Sequence, residues 1–406
     1  VWMTGDNSGA TGNTSVTASG ATLRVGAANN IPTGTLTLSN ASAVLDLRND
    51  VGTNFGKNVT VTNGKINVDQ AVGGSGVNQT HTLGNITHGS ASAATSMTIT
   101  GGNGYGLTVG DVTTVSKTSN NQAWTISNNA PGLFTINSFT GNTGSVNAIL
   151  VLGGTGDGKI TNAVSNGGTG LINYRKTGVG TWTMGTGMAT GGWINVATGV
   201  LDLNNMDFTA TQTGTTVGTY ALQMVANNSV AGSTATLNTG TGTLTLAGHA
   251  WNDGAGTSAG GFVNGKLDLG AANLESFGGT TNRQFTIENL SAPYTENYGI
   301  TVNAVVSGPA GTTLRKANSG QLYLANPANT YDGPTWIWQG ALAVNKLADG
   351  GQASGIGDSS NAASNLIIGA LGGMLRYLGS GDSTDRLFSI GTNGAWIENN
   401  GTGPIN

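Results

Sequence analysis

One short phrase recurs along the chain and constrains its fold more than any other feature. It is a small residue followed by an apolar, any and an apolar residue, as in the segment GVLDL at 199–203. The alternation places Leu201 and Leu203 on one face of a strand and Asp202 on the other. Glycine suits the turn before the strand, because it tolerates positive φ. Other copies of the phrase begin at Ala43, Gly64, Gly265 and Gly340.

Strands of four or five residues are unstable alone but can stack on copies of themselves and bury a continuous apolar column. The copy at Gly64 begins 21 residues after the copy at Ala43. The wider intervals between later copies fit several coils of roughly 20–25 residues each. The pattern therefore predicts an all-β parallel β-helix, or β-solenoid, of roughly 18 degenerate coils that runs as one continuous domain over 1–406.

The composition favours strand and turn. The chain has 69 glycines among 406 residues, and only 8% of its residues are charged. Disordered chains are poor in apolar residues and rich in charge, whereas 37% of this chain is hydrophobic and lies in short alternating runs. Glycine and β-branched residues both disfavour helix. We therefore expect a packed β core.

Charge and residue usage exclude several function classes. The net charge is −4 and the 15 Lys and Arg residues are scattered, which disfavours nucleic acid as a partner. No apolar run is long enough for a transmembrane segment. The absence of cysteine excludes disulfides, cysteine–zinc sites and thiol catalysis. We expect no enzyme activity, cofactor or metal.

The stretch 314–344 carries a specific motif. It reads LRKANSGQLYLANPANTYDGPTWIWQGALAV and follows the pattern L-x-K, G-x-L-x-L, N-T-Y-x-G-x-T-x-I and G-x-L-x-V. This pattern resembles the autotransporter-associated β-strand repeat of bacterial surface and secreted proteins. A weaker copy at 174–203 keeps Lys176 and Gly199. The structural repeat positions are Leu314, Lys316, Gly320, Leu322, Leu324, Asn329, Tyr331, Gly333, Ile337, Gly340, Leu342 and Val344.

The resemblance implies a right-handed parallel β-helix that is exported to the exterior of a Gram-negative bacterium. It implies no catalytic residues, because the repeat motif is structural. The function that follows is a structural extracellular protein, which forms a surface rod, a fibre or an adhesin stalk by stacking of coils.

Both ends of the sequence resemble interrupted strands. The sequence begins at Val1 in the middle of a strand-like pattern, and it ends at Asn406 without a polar capping segment. We interpret the chain as an excerpt or processed part of a longer one. Solenoid ends expose an open strand edge, so either more protein follows or the ends stack on another copy. The second option predicts self-association into a homo-oligomer or fibre.

Tryptophans form the candidate interaction surface. If Thr335 and Ile337 point inward, Trp336 and Trp338 point outward, and Trp193 belongs to the same outer face. Exposed indoles can stack on sugar rings or on another subunit. The candidate partners are therefore an extracellular glycan, a host surface or a second copy of the chain.

Other motifs receive structural interpretations. The segment GGTGDGK at 153–159 has phosphate-loop spacing, but Ile160 replaces the Ser or Thr that binds magnesium, so we expect a turn. Asp157 is alone and does not suffice for calcium. His81 and His88 lack a third metal ligand.

The carboxylates also have structural interpretations. Asp382 and Asp385 lie in one turn, and Arg386 is expected to pair with one of them. We expect outward, solvated carboxylates at Asp46, Asp202 and Asp268, and amide ladders at Asn204, Asn205, Asn399 and Asn400.

Two alternatives remain open. A carbohydrate-active β-helix, such as a glycosidase, a lyase or a phage-type spike, requires clustered carboxylates from different coils. A carbohydrate-binding module requires exposed, coplanar indoles with nearby Asn or Asp.

Overall fold

A computed structural model describes residues 1–189, 191–211, 220–224, 234–252, 260–271, 273–277, 280–287 and 299–406, without the side chains of 273–277 and 280–282. The chain divides into two compact units, Val1–Gly191 and Gly192–Asn406. Strands and turns dominate both, and the parallel pairing confirms the predicted all-β solenoid class. One continuous domain over 1–406 stays a prediction.

The first unit is built from short strands separated by turns. Its strands are β1 (Trp2–Met3), β2 (Thr14–Val16), β3 (Thr22–Val25), β4 (Leu36–Arg48), β5 (Val59–Asp69), β6 (Thr80–Thr82), β7 (Ile86–His88), β8 (Thr95–Gly101), β9 (Gly106–Val109), β10 (Val112–Thr114), β11 (Gln122–Asn128), β12 (Phe134–Ile136), β13 (Phe139–Gly141), β14 (Ala148–Gly153), β15 (Gly158–Ile160), β16 (Val164–Asn166), β17 (Ile172–Lys176) and β18 (Thr181–Thr183).

These strands stack in parallel into three columns. One column runs through β2, β4, β5, β7, β10, β13 and β16. A second contains β1, β3, β8, β11, β14 and β17 together with the later halves of β4 and β5. The third runs through β6, β9, β12, β15 and β18. From β6 to β17, each coil of the first unit therefore contributes one strand to each of the three columns.

The second unit repeats this plan less regularly. Its strands are β19 (Gly191–Val196), β20 (Gly199–Asp202), β21 (Phe208–Thr211), β22 (Leu222–Met224), β23 (Ala235–Ala247), β24 (Ala250–Asn252), β25 (Gly261–Asp268), β26 (Asn273–Phe277), β27 (Thr280–Ile287), β28 (Gly299–Val302), β29 (Val305–Ser307), β30 (Thr313–Ala317), β31 (Gln321–Leu324), β32 (Thr335–Ile337), β33 (Gly340–Val344), β34 (Leu366–Ile368), β35 (Gly373–Tyr377), β36 (Ser389–Ile390) and β37 (Ala395–Asn399).

Two columns extend through the second unit. One joins β19, β22, β24, β27, β30, β32, β34 and β36. The other joins β20, β23, β25, β28, β31, β33, β35 and β37. A shorter third column contains β21, β29 and the later halves of β23 and β25. Among the described residues, β26 pairs with β27 in the antiparallel sense.

Coil length varies more than the sequence predicts. Gln321 pairs with Ala341, a step of 20 residues, whereas Gly261 pairs with Ile300, a step of 39. The predicted period of roughly 20–25 residues therefore holds for some coils only. Because loop insertions are thermodynamically tolerated, turns can lengthen while the strands stay in register.

The core consists of aliphatic columns, as the recurrent phrase predicts. Leu201, Leu237 and Val263 occupy successive positions of one column, and each is at most 1% exposed. In the first unit, Leu45 pairs with Ile66, and both are fully buried. Burial of such side chains contributes about 1.5–3 kcal/mol each.

Glycines serve two purposes at the turns. Gly199 and Gly340 have φ of +74° and +71°, which suits glycine as predicted. Gly64 is not in this conformation, but a Cβ there would lie 2.8 Å from the Cβ of Leu38 on the preceding rung. Where the phrase begins with glycine at these positions, it uses that residue either for backbone conformation or for close stacking.

Helix is nearly absent, as expected. Short 3₁₀ helices occur at Ala28–Asn30 and Ala363–Asn365. In the part of the chain that is described, no helix is long and apolar enough to cross a membrane.

Candidate interaction surfaces

Trp336 and Trp338 form a compact cluster with Arg315 on the outside of β30 and β32. Thr335 and Ile337 are buried, so the tryptophans take the outward positions that alternation predicts. Their ring centroids lie 5.0 Å apart with an interplanar angle of 66°. The Arg315 guanidinium carbon lies 4.9 Å from the Trp336 ring centroid and 4.3 Å from that of Trp338. This geometry is a double cation–π contact.

The cluster differs from a flat sugar-stacking platform. The two indoles are half-buried and not coplanar, and Arg315 is only 4% exposed. Burial lowers the pKa of Arg315. The Nε1 donor of Trp336 is buried without a hydrogen-bond partner among the described residues. The coplanar indoles required by the sugar-binding alternative are therefore not present at this pair.

Trp193 does not share this outer surface. Its side chain is 8% exposed, because β19 is buried along its whole length. The expectation that Trp193 is an exposed indole is therefore wrong.

The repeat positions of 314–344 form a structural core. Asn329 is fully buried; its side-chain oxygen accepts from the Val306 amide at 2.9 Å. The Tyr331 hydroxyl and the Thr335 Oγ1 atom share a hydrogen bond of 2.8 Å. The polar residues of the N-T-Y element are thus satisfied inside the solenoid. The remaining positions are also buried or lie at turns: Leu314, Gly320, Leu322, Leu324, Gly333, Ile337, Gly340, Leu342 and Val344.

The lysine of the L-x-K element binds turn carbonyls. Lys316 is fully buried, and its Nζ donates to the carbonyls of Ala317, Asn318 and Gln339 at 2.8, 2.6 and 3.0 Å. Lys176 in the weaker copy likewise donates to the two carbonyls that follow it. Burial lowers the pKa of Lys316 well below its usual value. Each lysine satisfies the backbone of a tight turn.

Asp46 is not the solvated residue that the sequence predicts. It is 3% exposed and lies between Arg24 Nε at 2.6 Å and Arg48 Nε at 2.7 Å. Burial raises its pKa, but hydrogen bonds from Arg24, Asn67 and Arg48 lower it more, so the net shift is downward. The rung below presents Arg24 and the rung above presents Asn67, so stacking covers the carboxylate.

The other two aspartates of the phrase are only half-buried. Asp202 accepts from Asn238 Nδ2 on the next rung at 3.2 Å, and Asp268 lies 3.4 Å from Ser307 Oγ. Their stacking partners are therefore uncharged, and no two of these aspartates adjoin each other.

Arg386 pairs with neither of its neighbouring aspartates. It donates to the carbonyls of Ala348, Gln352 and Gly357 at 3.0–3.1 Å, and its Nη1 donates to Ser359 Oγ at 2.9 Å. The prediction of an aspartate partner is wrong, because the loop before β34 folds over the guanidinium and supplies carbonyl acceptors.

Asp382 and Asp385 also hold this loop. Asp382 contacts Lys346 Nζ and accepts from Tyr377 Oη at 2.7 Å. Asp385 accepts from the Gly350 amide at 2.8 Å and from Asn361 Nδ2 at 2.9 Å. Both carboxylates therefore have structural hydrogen bonds.

The histidines lie in the core of the first unit. His81 packs against the rings of Phe55 and Tyr105. His88 is fully buried, and its Nδ1 donates to the Val61 carbonyl at 2.8 Å. Burial is the main cause that lowers the pKa of His88 to about 4. No cluster of three or more potential metal ligands occurs in the described ranges.

The GGTGDGK segment forms the turn between β14 and β15, as predicted. The Asp157 carbonyl accepts from Asn128 Nδ2 at 2.7 Å, and its carboxylate accepts from the Thr181 amide at 2.7 Å. Strand rather than helix follows the turn.

Amide ladders occur, but mostly at residues that the sequence did not single out. Asn205 accepts from the Thr241 amide at 2.9 Å, whereas the Asn399 amide bonds within its own turn, to the carbonyl of Gly403. The longest chain of such contacts connects successive rungs of the first unit. It runs through Asn58, Asn85, Asp111, Asn137 and Asn162.

A ladder of hydroxyl side chains lies beside these amides and was missed by the sequence reasoning. Its residues occupy paired, outward positions on seven successive rungs. They are half-buried or exposed, and we call them the hydroxyl ladder. The available signal was an apolar residue followed by Thr or Ser, which recurs on six of the seven rungs. The members are Ser15, Thr37, Thr60, Thr87, Thr113, Thr140 and Ser165.

A groove of about 690 Å³ meets the hydroxyl ladder at two of its residues, Thr60 and Thr87. Thr60 and Thr87 line it together with Asn13, Thr35 and Asn58 of the adjacent outward column. Its lining includes no carboxylate. We call this feature the polar groove.

The amino-acid sequence is similar to part of a known surface adhesin. The chain is 31% identical over 284 residues to the adhesin BmaC autotransporter of Brucella suis biovar 1 (strain 1330). The match covers 69% of this chain and 7% of that relative, so the chain spans a small part of the relative's length. No protein-family profile and no solved structure match the chain. The similarity thus supports the autotransporter relationship, without a profile match to the repeat family itself.

Proposed function

We propose that this chain is a segment of a bacterial surface protein of the adhesin type, starting from its similarity to an autotransporter adhesin. The observation that carries the proposal is the stacking of parallel rungs around buried aliphatic columns within each unit. Such stacking joins every coil to the next by backbone hydrogen bonds. The role is structural and adhesive, and the protein acts outside the cell, at the surface of a Gram-negative bacterium.

The partners are a host surface or an extracellular glycan, and a second copy of the chain. The cluster of Arg315, Trp336 and Trp338 is the proposed contact for a host surface, because its two half-buried indoles occupy outward positions and pack on the guanidinium beneath them. Ile390 and Trp396, which are 64% and 63% exposed, support self-association through apolar contact.

Bead adhesion tests the proposal. Beads coated with the purified chain should attach to host-cell layers more than beads coated with the heat-unfolded chain. Trp338→Ala should reduce attachment if the cluster is a contact, with Trp2→Ala as the control, because Trp2 is an exposed indole outside both proposed surfaces. Equal attachment of native and unfolded coatings would contradict the adhesive role.

Electron microscopy tests self-association separately. Filaments with a regular subunit repeat would support assembly of identical chains. Isolated particles at micromolar concentration would reject it and leave the adhesive role standing.

A further inference from the structure

The polar groove overlaps the hydroxyl ladder at Thr60 and Thr87 on one face of the first unit, where a concave shape meets a repeated hydrogen-bonding pattern. We propose that the polar groove binds an extended, uncharged polysaccharide whose chain follows the hydroxyl ladder from rung to rung. This inference rests on the proposed adhesive function and names the chemical class of one ligand.

The hydroxyl groups at the groove are available to a ligand. Thr60 and Thr87 pair on adjacent rungs, and their hydroxyls have no protein partner among the described residues. In contrast, Thr140 and Ser165, farther along the ladder, bond to each other at 2.9 Å. A threonine hydroxyl offers one donor and two acceptors, which suits sugar hydroxyls.

The amides beside the ladder are held in place by their oxygens. Asn13 Oδ1 accepts from the Thr35 amide at 2.9 Å, and Asn58 Oδ1 accepts from the Asn85 amide at 2.8 Å. These bonds to the neighbouring rung orient both side chains. Within the described part of the chain, their Nδ2 donors have no protein acceptor. Donors fixed in this way lose little entropy when a ligand binds.

The charge of the groove favours a neutral ligand. Lys57 in the groove lining donates to the carbonyls of Pro32 and Gly34, so its ammonium group is already hydrogen-bonded to the backbone. The groove lining contains no carboxylate, so it does not attract a polycation. The ladder contains only Ser and Thr, so it does not neutralise the phosphates of a nucleic acid. Ile31, Pro32 and Phe55 also border the groove, but they are buried, so its polar side chains make the main contacts with a ligand.

The period of the ladder favours a chain over a single sugar. Parallel rungs lie about 4.8 Å apart, which is close to the length of one sugar residue in an extended chain. Consecutive sugars can therefore meet equivalent hydroxyls on consecutive rungs. A volume of about 690 Å³ accommodates several rings.

Calorimetric titration with defined oligosaccharides tests the inference. The probes are β-1,4-linked hexasaccharides of glucose and of N-acetylglucosamine, an α-1,4-linked glucose hexasaccharide, which coils, and an anionic uronic-acid hexasaccharide. We expect at least one β-1,4-linked probe to bind, and the coiled and anionic probes to bind at least tenfold more weakly. Failure of both β-1,4 probes to bind, or preference for the anionic probe, would overturn the inference.

A double variant locates the site. Thr60→Val with Thr87→Val removes two hydroxyls and keeps the β-branched shape, so we expect about tenfold weaker binding. The matched control is Thr108→Val with Thr135→Val, two paired, half-buried threonines on the third column outside the groove. Equal affinity of the double variant and this control, with both folded by circular dichroism, would also overturn the inference.

Bead adhesion with the same variants separates the two proposals. Unchanged attachment of the double variant, together with no oligosaccharide binding by the wild-type chain, rejects the groove and leaves the adhesive function. Oligosaccharide binding without attachment of any coated bead supports the groove and rejects the adhesive function on host cells.

Discussion

At the scale of single residues, buried cations use backbone carbonyls in place of carboxylates. Lys316 and Lys117 are both at most 2% exposed, and Lys117 Nζ donates to the carbonyls of Ser90 and Ala93 at 2.8 and 2.7 Å. Arg386 does the same in the loop before β34. The chain satisfies these buried charges with the carbonyls of turns, which are abundant in a solenoid. These cations therefore stabilise the turns that they contact.

Replacement of Lys316 should weaken the chain markedly. Lys316→Met keeps the length of the side chain but removes the donor to three carbonyls, so we expect a loss of about 2 kcal/mol or more in the free energy of unfolding. Lys266→Met is the control, because Lys266 is exposed. Urea unfolding of both variants measures the difference, and equal midpoints would show that the carbonyl contacts are dispensable.

His88 should make stability depend on acid. Because the folded-state pKa is about 4 and the usual value is 6.5, the unfolded chain takes up the proton first as the pH falls. The contribution of His88 to the free energy of unfolding is complete above pH 6.5 and is lost as the pH falls through about 4. The total loss is about 3 kcal/mol. His88→Asn should flatten the dependence of unfolding free energy on pH between 6.5 and 3. Parallel curves for the two proteins would contradict the assignment.

Neutralisation of Asp46 should leave two guanidinium groups without their shared partner. Asp46→Asn keeps the shape but removes the charge between Arg24 and Arg48, so we expect a loss of about 1–3 kcal/mol. Asp157→Asn is the control, because this exposed side chain accepts from one backbone amide that an asparagine oxygen can also serve. Thermal unfolding compares the two variants with the original protein. Equal melting temperatures of the two variants would mean that the ion pairs of Asp46 do not contribute to stability.

At the scale of elements, each strand is defined by its column and by the turn before it. The β33 strand begins at Gly340, where φ is +71° and a Cβ would lie 2.4 Å from the Asn318 carbonyl oxygen. Gly372, just before β35, also has positive φ, at +83°, but nothing lies within 4 Å of its Cβ position. The two positions separate backbone strain from steric conflict with the neighbouring rung.

Alanine at these glycines should reveal both costs. We expect Gly372→Ala to cost about 1 kcal/mol, from conformation alone. Gly340→Ala adds a clash with the rung below, so we expect it to cost about 3 kcal/mol or more. Chemical denaturation of the two variants measures the difference. Similar losses in both would show that the rungs separate readily and that close stacking is unimportant.

At the scale of the whole molecule, stability depends on contacts between adjacent rungs. The last rung contains β36 and β37, which pair with β34 and β35. In a solenoid each coil interacts mainly with its neighbours, so loss of a terminal coil propagates over a short distance.

Deletion of residues 389–406 should therefore have a local effect. We expect amide hydrogen exchange to speed up at least tenfold in β34 and β35, because their outer edges lose partners. Exchange in β5, β8 and β11 of the first unit should stay unchanged. Mass spectrometry of both proteins measures this, and a general loss of protection would indicate that the chain unfolds as one cooperative block.

The sequence by itself determined the class of fold and the inward positions. Alternation in phrases such as GVLDL depends on the period of the strand alone, so it correctly placed Leu201 and Leu203 in the core and Trp336 and Trp338 on the outside. The motif at 314–344 likewise identified core positions, because turn glycines and buried apolar residues are local requirements.

Only the tertiary structure decided what each outward residue meets. Loop lengths that vary between coils set which residues of neighbouring rungs become partners, and strand period alone does not reveal this. Stacking therefore placed Arg24 of the preceding rung on Asp46, and it aligned Thr60 with Thr87 at the groove. The covering of Trp193 and the carbonyl partners of Arg386 have the same origin. Inward positions follow from the residue's own strand, whereas outward surfaces depend on the register between strands far apart in sequence.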